Sequence, residues 1–336
     1  MYDVAIIGAG IVGAMVAREL GKYKLKVCIL EKENYVAFGA TKANSAIVHA
    51  GFDAKVGTMK AKFNVLGSKM MPDICKDLGV KYINNGSLVV GYNEEDRTTI
   101  LELYNRGIAN GVSGLEILDY DELHKIEPNI SKNAICALHA KTGAITCPYE
   151  LTIAAVGNAM DNGCDLFLNF DVCRIDRCDN NYVIFSSKSS ISSKVVINAA
   201  GVFSDKIANL IGDYSFTVKP RRGEYILLDK GCGSFIGHTI FKTPSKMGKG
   251  ILVTPTVDGN LLLGPTSVDI LDKNNKETTD EGFSKIKLLA KESVDNIDFK
   301  KIITSFCGLR SVGSTGDFII NSPKDNFINV AGIESP

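Results

Sequence analysis

Three residue sets in this chain have types and spacings that could do chemistry. Gly8, Gly10 and Gly13 form a G-x-G-x-x-G, and an acid, Glu31, stands eighteen residues beyond the last of them. Glycines at this spacing permit a tight turn, a close approach of backbone to a pyrophosphate, and close helix–strand packing. The free N–H groups of a helix starting at Ile11 and Val12 would face the phosphates, and Glu31 could accept both hydrogen bonds of a ribose diol. The second set is the four histidines, His49, His124, His139 and His238. His49 lies in the otherwise apolar run "NSAIVHAGF". A histidine titrates near neutrality and can take a hydroxyl proton; a buried one satisfied by backbone is the plainer reading. The third set is nine cysteines, dispersed and without a C-x-x-C. The closest pair, Cys173 and Cys178, cannot supply the four ligands of a zinc or iron–sulfur centre, so no metal is expected. Such a set reads as reduced intracellular thiols.

The elements that must hold these groups can be read from hydrophobic spacing. Val4–Ile7 is a buried-strand run, Ile11–Leu20 has helical spacing, and Val27–Leu30 is a second buried strand ending at Glu31. Strand, glycine turn, helix, strand and acid together make a dinucleotide-binding unit, and the acid argues against the extra phosphate of NADP. Met59–Leu78 has an amphipathic pattern, with Phe63, Leu66, Met70, Ile74 and Leu78 near one face. Asn93–Asn110 opens with the acidic "NEED" expected at a helix N-terminus. Segments 220–229, 250–256 and 260–264 predict one antiparallel sheet, with a turn at Asp258-Gly259. "SSKSSISS" reads as a polar turn between strands. "GCGSFIG", Gly231 to Gly237, has the wrong spacing for a second glycine motif and reads as a plain surface loop, leaving one dinucleotide site.

Composition excludes several classes. The 336 residues are 45% hydrophobic and 23% charged, and 38 Lys+Arg balance 38 Asp+Glu. That balance gives no nucleic-acid footprint and no broad basic face for an anionic membrane. No apolar run approaches the ~20 residues of a membrane span. The opening Met-Tyr-Asp passes directly into a strand pattern, so no signal peptide is expected, and the expected location is cytoplasmic.

Three features favour FAD over a nicotinamide cofactor. The glycine unit begins at residue 2; "VVINAAG" ends a buried strand in Ala199, Ala200 and Gly201, where small residues let a ligand approach; and "FINVAGIESP" is a further apolar strand ending at Gly332. With "GAGIVG", "ATKANSAIVHAGF", "GTMKAKFN", "GSLVVGYNEED", "IEPNI", "GAITCPYEL", "PRRGEYILLD", "LVTPTVDGNLLLGPT" and "GLR", these elements resemble the D-amino-acid-oxidase-like superfamily of FAD-dependent oxidoreductases along nearly the whole chain. Within it, the chain looks most like the glycerol-3-phosphate dehydrogenase-like and L-2-hydroxyglutarate oxidase-like branch. The resemblance implies an α/β fold: a Rossmann-like FAD domain (1–80, 146–215 and 306–336) with a mixed-sheet α+β substrate domain (81–145 and 216–305) inserted. Members typically continue past "GIESP" into a helix, so the chain is expected to be C-terminally truncated.

The resemblance also implies site residues. Lys32, Thr41, Asn44, Ser45, His49, Ala50, Gly51, Val172, Gly332, Ile333 and Glu334 join the glycine turn around FAD. His49 would be base, flavin partner or covalent attachment point, with His238 as rival base; His124 and His139 would be surface or structural. Arg310 in "GLR" would grip the substrate's acidic group through a guanidinium fork, with Arg222 second and Arg221 third. Lys246 and Lys249 could meet a phosphate. The implied reaction is hydride transfer from the secondary carbinol of a small anion to flavin, with oxygen, a quinone or a partner protein as acceptor. Asp53, where respiratory glycerol-3-phosphate dehydrogenases typically carry an arginine, and the pattern around "HAG" favour the L-2-hydroxyglutarate alternative. An amino-acid oxidase and a non-catalytic FAD-binding fragment are further alternatives.

Overall fold

A computed structural model describes residues 1–244 and 250–334. Lys246 and Lys249 lie outside the described residues.

The apolar run at the start forms β1 (Tyr2–Ile7), flanked in parallel by β2 (Val27–Leu30) and β12 (Ser190–Asn198). The parallel set extends through β9 (Asp165–Phe167) beside β2 and β20 (Phe327–Ala331) beside β12. Antiparallel β10 (Arg174–Cys178), β11 (Asn181–Phe185) and β19 (Ile319–Lys324) complete eight strands. Parallel strands covered on both faces need continuous apolar sequence, and β1 and β2 supply it. On one face α1 (Ile11–Leu20) and α5 (Pro148–Asp161) pack Ala14, Ala17, Ala155 and Ala159 against Ile6 and Ile29. On the other, Ile207 of α6 (Ser204–Asn209) joins Ile7, Leu30 and Phe170.

A small antiparallel sheet, β3 (Ile47–Val48), β4 (Tyr82–Ile83) and β8 (Ala144–Thr146), follows the order β3-β8-β4. The third sheet has nine strands. These are β5 (Ser87–Gly91), β6 (Leu115–Leu118), β7 (Cys136–Ala140), β13 (Val218–Leu228), β14 (Thr239–Lys242), β15 (Leu252–Pro255), β16 (Leu261–Gly264), β17 (Val268–Asp269) and β18 (Ile302–Gly313). Its order is β17-β13-β16-β15-β14-β5-β7-β6, with β18 pairing along the whole of β13. The antiparallel run β13-β16-β15 is the sheet that the β-rich segments predicted. One face buries Leu88, Ile226, Ile240, Val253 and Leu263 under α4 (Tyr120–Ile126) and α7 (Asp280–Ser293). The other buries Val89 and Leu138 against α2 (Met59–Asp77) and α3 (Glu94–Ala109).

Three expectations change. The stripe on α2 points outward: Phe63, Leu66 and Met70 are 40%, 44% and 56% exposed, while Ala61, Val65 and Cys75 are buried. The helix lies too close to its neighbours for large side chains; a Cβ on Gly51 would stand 2.6 Å from Val65 Cγ2. "GCGSFIG" is not a plain surface loop, because Cys232–Phe235 forms a 3-10 turn with Cys232 and Gly233 buried, the latter against the Gly259 backbone. Residues 306–313 belong to β18 of the nine-stranded sheet and are not part of the nucleotide-binding sheet.

Candidate functional site

The glycine turn closes as its residue types require. Gly8 has φ +107°, and a Cβ there would meet the Ala199 carbonyl at the end of β12; a Cβ on Gly13 would strike the Gly8 carbonyl. The N-cap of α1 is Gly10, which offers no side-chain cap, and the first turn carries no acid. The helix dipole there is open to an anion. The Ile11 N–H donates to Thr41 Oγ1 at 3.1 Å, which brings the 40–42 turn over the helix start. Ala199, Ala200 and Gly201 continue from β12, and Lys32 Nζ sits 4.0 Å above the Phe203 ring just beyond. Val172 joins the apolar wall formed by Ile7 and Leu30. Glu31 is buried, and its two carboxylate oxygens accept the Ala9 N–H at 2.7 Å and the Glu33 N–H at 3.0 Å. It therefore ties the turn to β2, a role that a ribose-binding reading alone does not give. Each oxygen retains a lone pair for a ribose hydroxyl. The Ile11 N–H expected to face phosphate is thus taken by Thr41, while the bare backbone, the helix end without an opposing charge and the acid fit the adenosine-pyrophosphate part of FAD.

The second part of the site begins at Asn44. Its amide donates to the Ala40 and Thr41 carbonyls at 3.2 and 2.8 Å, and its oxygen accepts the Ala46 N–H at 2.7 Å. This local knot supports Ala46 at φ +60° and leads Ser45 to Tyr225, with 3.3 Å between hydroxyls. Strand β18 lies against the same segment, since a Cβ on Gly308 would collide with the Ala43 carbonyl. His49 follows β3 and places its ring 6.0 Å from that of Phe241, measured between centroids. Ala50 is buried with Phe52 and Val65, and the bareness of Gly51, φ +103°, serves contact with α2.

Strand pairing decides which polar groups face this segment. Directly paired residues share a face, and alternate residues change face. Arg221 pairs with Arg310, Tyr225 with Phe306, Ile226 with Leu263, Leu263 with Val253, Val253 with Ile240, and Ile240 with Leu88. Arg221, Tyr225, Arg310 and Phe241 therefore share the face turned from the Ile226–Leu88 core, the face that meets Ser45 and His49. Tyr225 is buried and stacks on Phe306 at 4.9 Å and 14°. Burial pushes its phenol up, so it is a neutral donor near pH 7. Arg310 donates from Nη2 to the Thr266 carbonyl at 2.8 Å, its buried Nε has no partner, and no ion pair engages it among the described residues. Burial lowers its pKa from the arginine value, but a guanidinium stays charged in a protein.

Arg222 and His238 do not join this group. Arg222 is offset by one residue from Arg221 and so points to the opposite face, with Nε 3.3 Å from the buried Glu224 Oε1. Glu224 also accepts from the Thr279 N–H at 2.7 Å and the Thr279 hydroxyl at 3.0 Å, at the start of α7. His238 is on that reverse side too. Its Nδ1 is 3.0 Å from Glu127 Oε2, which also accepts the Gly237 and His238 N–H groups. Its ring meets that of His139, whose strand places it beside Leu88. His124 bonds the Ala134 carbonyl through Nε2 at 3.1 Å. At the C-terminal end, Gly332 (φ +66°) packs on Gly313, Ile333 is half-buried, and Glu334 pairs with Lys60 at 2.8 Å. Asp317 accepts the Met59 and Lys60 N–H groups, both at 2.8 Å, and so fixes the start of α2 beside that pair. Asp317 and Tyr225 went unread in sequence; for Tyr225 the signal was parity, since it shares the odd positions of Arg221 on one strand.

Comparison with known proteins gives consistent relatives. A family model described as FAD dependent oxidoreductase matches residues 3–336. A glycerol 3-phosphate dehydrogenase of Caloramator mitchellensis is 48% identical over 338 residues, covering 100% of this chain and 70% of the relative. The mitochondrial L-2-hydroxyglutarate dehydrogenase of Dictyostelium discoideum is 32% identical over 303 residues, covering 83% of this chain and 67% of the relative. Among solved structures, dithionite-reduced L-alpha-glycerophosphate oxidase from Mycoplasma pneumoniae with FAD bound superposes with a TM-score of 0.95 at 30% identity, covering 100% of this chain and 90% of that one.

Proposed function

The chain belongs to the FAD-dependent oxidoreductase family, and from that premise we propose that it oxidises the secondary carbinol of a small anion, with glycerol 3-phosphate as the first candidate. The observation that carries this reading is Arg310: a half-buried cation with an unpartnered Nε, on the sheet face that meets Ser45 and His49. Such a cation calls for an anionic partner, and a guanidinium fork matches a phosphate or carboxylate. Bound FAD supplies the two-electron acceptor for the carbinol C–H. The residues of the chain do the rest. Arg310 anchors the acidic group and fixes which carbon is presented. A ring nitrogen of His49 receives the hydroxyl proton. Tyr225 holds Ser45 and with it the segment that leads to His49. Gly8, Gly10, Ile11, Gly13, Glu31 and Thr41 hold the dinucleotide end. The acceptor is oxygen, a quinone or a partner protein, and the nine free thiols suit a reducing cytoplasm.

L-2-hydroxyglutarate is the second reading, favoured by Asp53 after the His49-Ala50-Gly51 run and by the Dictyostelium relative. Anaerobic bleaching of the flavin band separates the two. Bleaching by glycerol 3-phosphate alone is expected. Bleaching by L-2-hydroxyglutarate alone moves the assignment to that acid, and bleaching by neither with FAD bound ends the carbinol reading for both.

A further inference from the structure

We propose that Arg221 is a second anion-recognition residue, restrained by Asp269, which fits the site to a head group carrying two negative charges, as a phosphate monoester does. The proposal rests on the reading that Arg310 faces substrate.

The argument begins with register. Arg221 and Arg310 are paired directly across β13 and β18, so their side chains leave the sheet side by side. Directly opposed residues of an antiparallel pair stand about 4.5–5.5 Å apart at Cβ, where like charges repel. Two guanidiniums so placed need negative charge between or beside them. The chain supplies it unequally. Among the described residues Arg310 has only the neutral Thr266 carbonyl as a hydrogen-bond partner. Arg221 has Asp269, which accepts from Nε at 2.6 Å and from Nη2 at 3.3 Å and comes from β17, a two-residue edge strand.

The Asp269 pair is of a kind that can be exchanged. The Asp269 side chain is 56% exposed, so water and salt screen the attraction and little holds the pair closed. It engages one edge of the guanidinium and leaves the Nη1 donors without a partner among the described residues. The neighbouring arginine is the control within the same strand: Arg222 pairs with a Glu224 that is 2% exposed, fixed by Thr279, and on the other face. Of the two consecutive arginines, only Arg221 combines the correct face with a loosely held charge. The other charged groups facing Arg221 are Arg310, Glu334 with its partner Lys60, and Lys219 beside Asp269. A phosphate monoester takes its second charge with a pKa near 6, so a second guanidinium matters most above that pH.

The test uses the full FAD-loaded chain and two readouts. The first is thermal stabilisation by inorganic phosphate at pH 7.5. Arg221→Gln is expected to weaken the apparent phosphate Kd about tenfold, and Asp269→Asn to tighten it severalfold. A purely structural pair predicts that both variants, having lost the same contact, move Kd together or not at all; that result overturns the proposal, as does a wild-type chain that phosphate does not stabilise. The second readout is KM for glycerol 3-phosphate between pH 5.5 and 7.5. It is expected to fall as the second charge forms in the wild type and to stay flat in Arg221→Gln. A wild-type-like fall in Arg221→Gln overturns the proposal. If phosphate binding shows the opposed pattern while no carbinol bleaches the flavin, the dianion site stands and the oxidation reading fails.

Discussion

The two faces of the nine-stranded sheet carry similar residues with opposite tasks. The face toward Ser45 and His49 holds Arg310, Arg221 and Tyr225, and among the described residues no carboxylate forms an ion pair with Arg310. The reverse face holds Arg222, His238 and His139, each against a glutamate: Glu224, Glu127 and Glu116. Arg310 is left without an ion pair on the first face among the described residues, while the charges of the reverse face are closed in pairs with glutamates. Side-chain alternation makes this separation possible within two consecutive residues, Arg221 and Arg222.

The largest break in this contrast should come from Glu224→Ala. It leaves Arg222 beside the helix start without its anion and removes the acceptor of Thr279. Loss of one partner of a buried pair costs about 3–5 kcal/mol, so denaturant unfolding should show a large fall in stability. Replacing Arg222 by Met in the same chain should recover much of it; no recovery would mean that Glu224 acts mainly through Thr279.

Arg310→Ala should behave inversely. It should lower kcat/KM more than tenfold, about 1.4 kcal/mol or more of transition-state binding, with little change in Tm. Unchanged kinetics would remove Arg310 from the site. The histidines give the same contrast at smaller scale. His49→Ala should slow anaerobic flavin reduction; if only the flavin spectrum shifts, His49 is a cofactor contact and not the base. His238→Ala should leave the reduction rate intact and lower stability by about 1–3 kcal/mol, since the Glu127 carboxylate loses one of its three donors.

Much of the nucleotide-binding layer was legible in sequence because its signals are local. β1, the glycine turn, α1 and β2 follow one another within thirty residues, and buried parallel strands need continuous apolar runs. On the substrate side the candidate residues were legible but not which of them share a face. Whether Arg221 or Arg222 faces Ser45 depends on the register of β13 against β18, which lie some eighty residues apart in sequence. A one-residue shift would exchange them. The α2 stripe misled for a related reason. Periodicity shows that Phe63, Leu66 and Met70 share a side, but close approach at Gly51 and Val65 decides which side is buried.

The finest test concerns pH, and it assigns different titrations to the two faces. His139 on the reverse face has its pKa held below 6.5 by burial and by the neighbouring His238, against the pull of Glu116. The folded chain thus favours the neutral ring. As pH falls below 6.5 the unfolded chain binds the proton first, so stability declines through the window between 6.5 and the lower folded value and is then level. Glu116 has the opposite charge type and a lowered pKa, set mainly by Lys141, so its contribution is present above 4.5 and is lost only at more acid pH. His139→Gln should therefore flatten the decline in Tm just below pH 6.5 and leave the more acid decline in place. Rate constants for flavin reduction should keep their pH profile in this variant, because the titrating ring lies across the sheet from His49. A shifted rate profile would show that the two faces are coupled and that the sheet does not separate fold-supporting charge from chemistry.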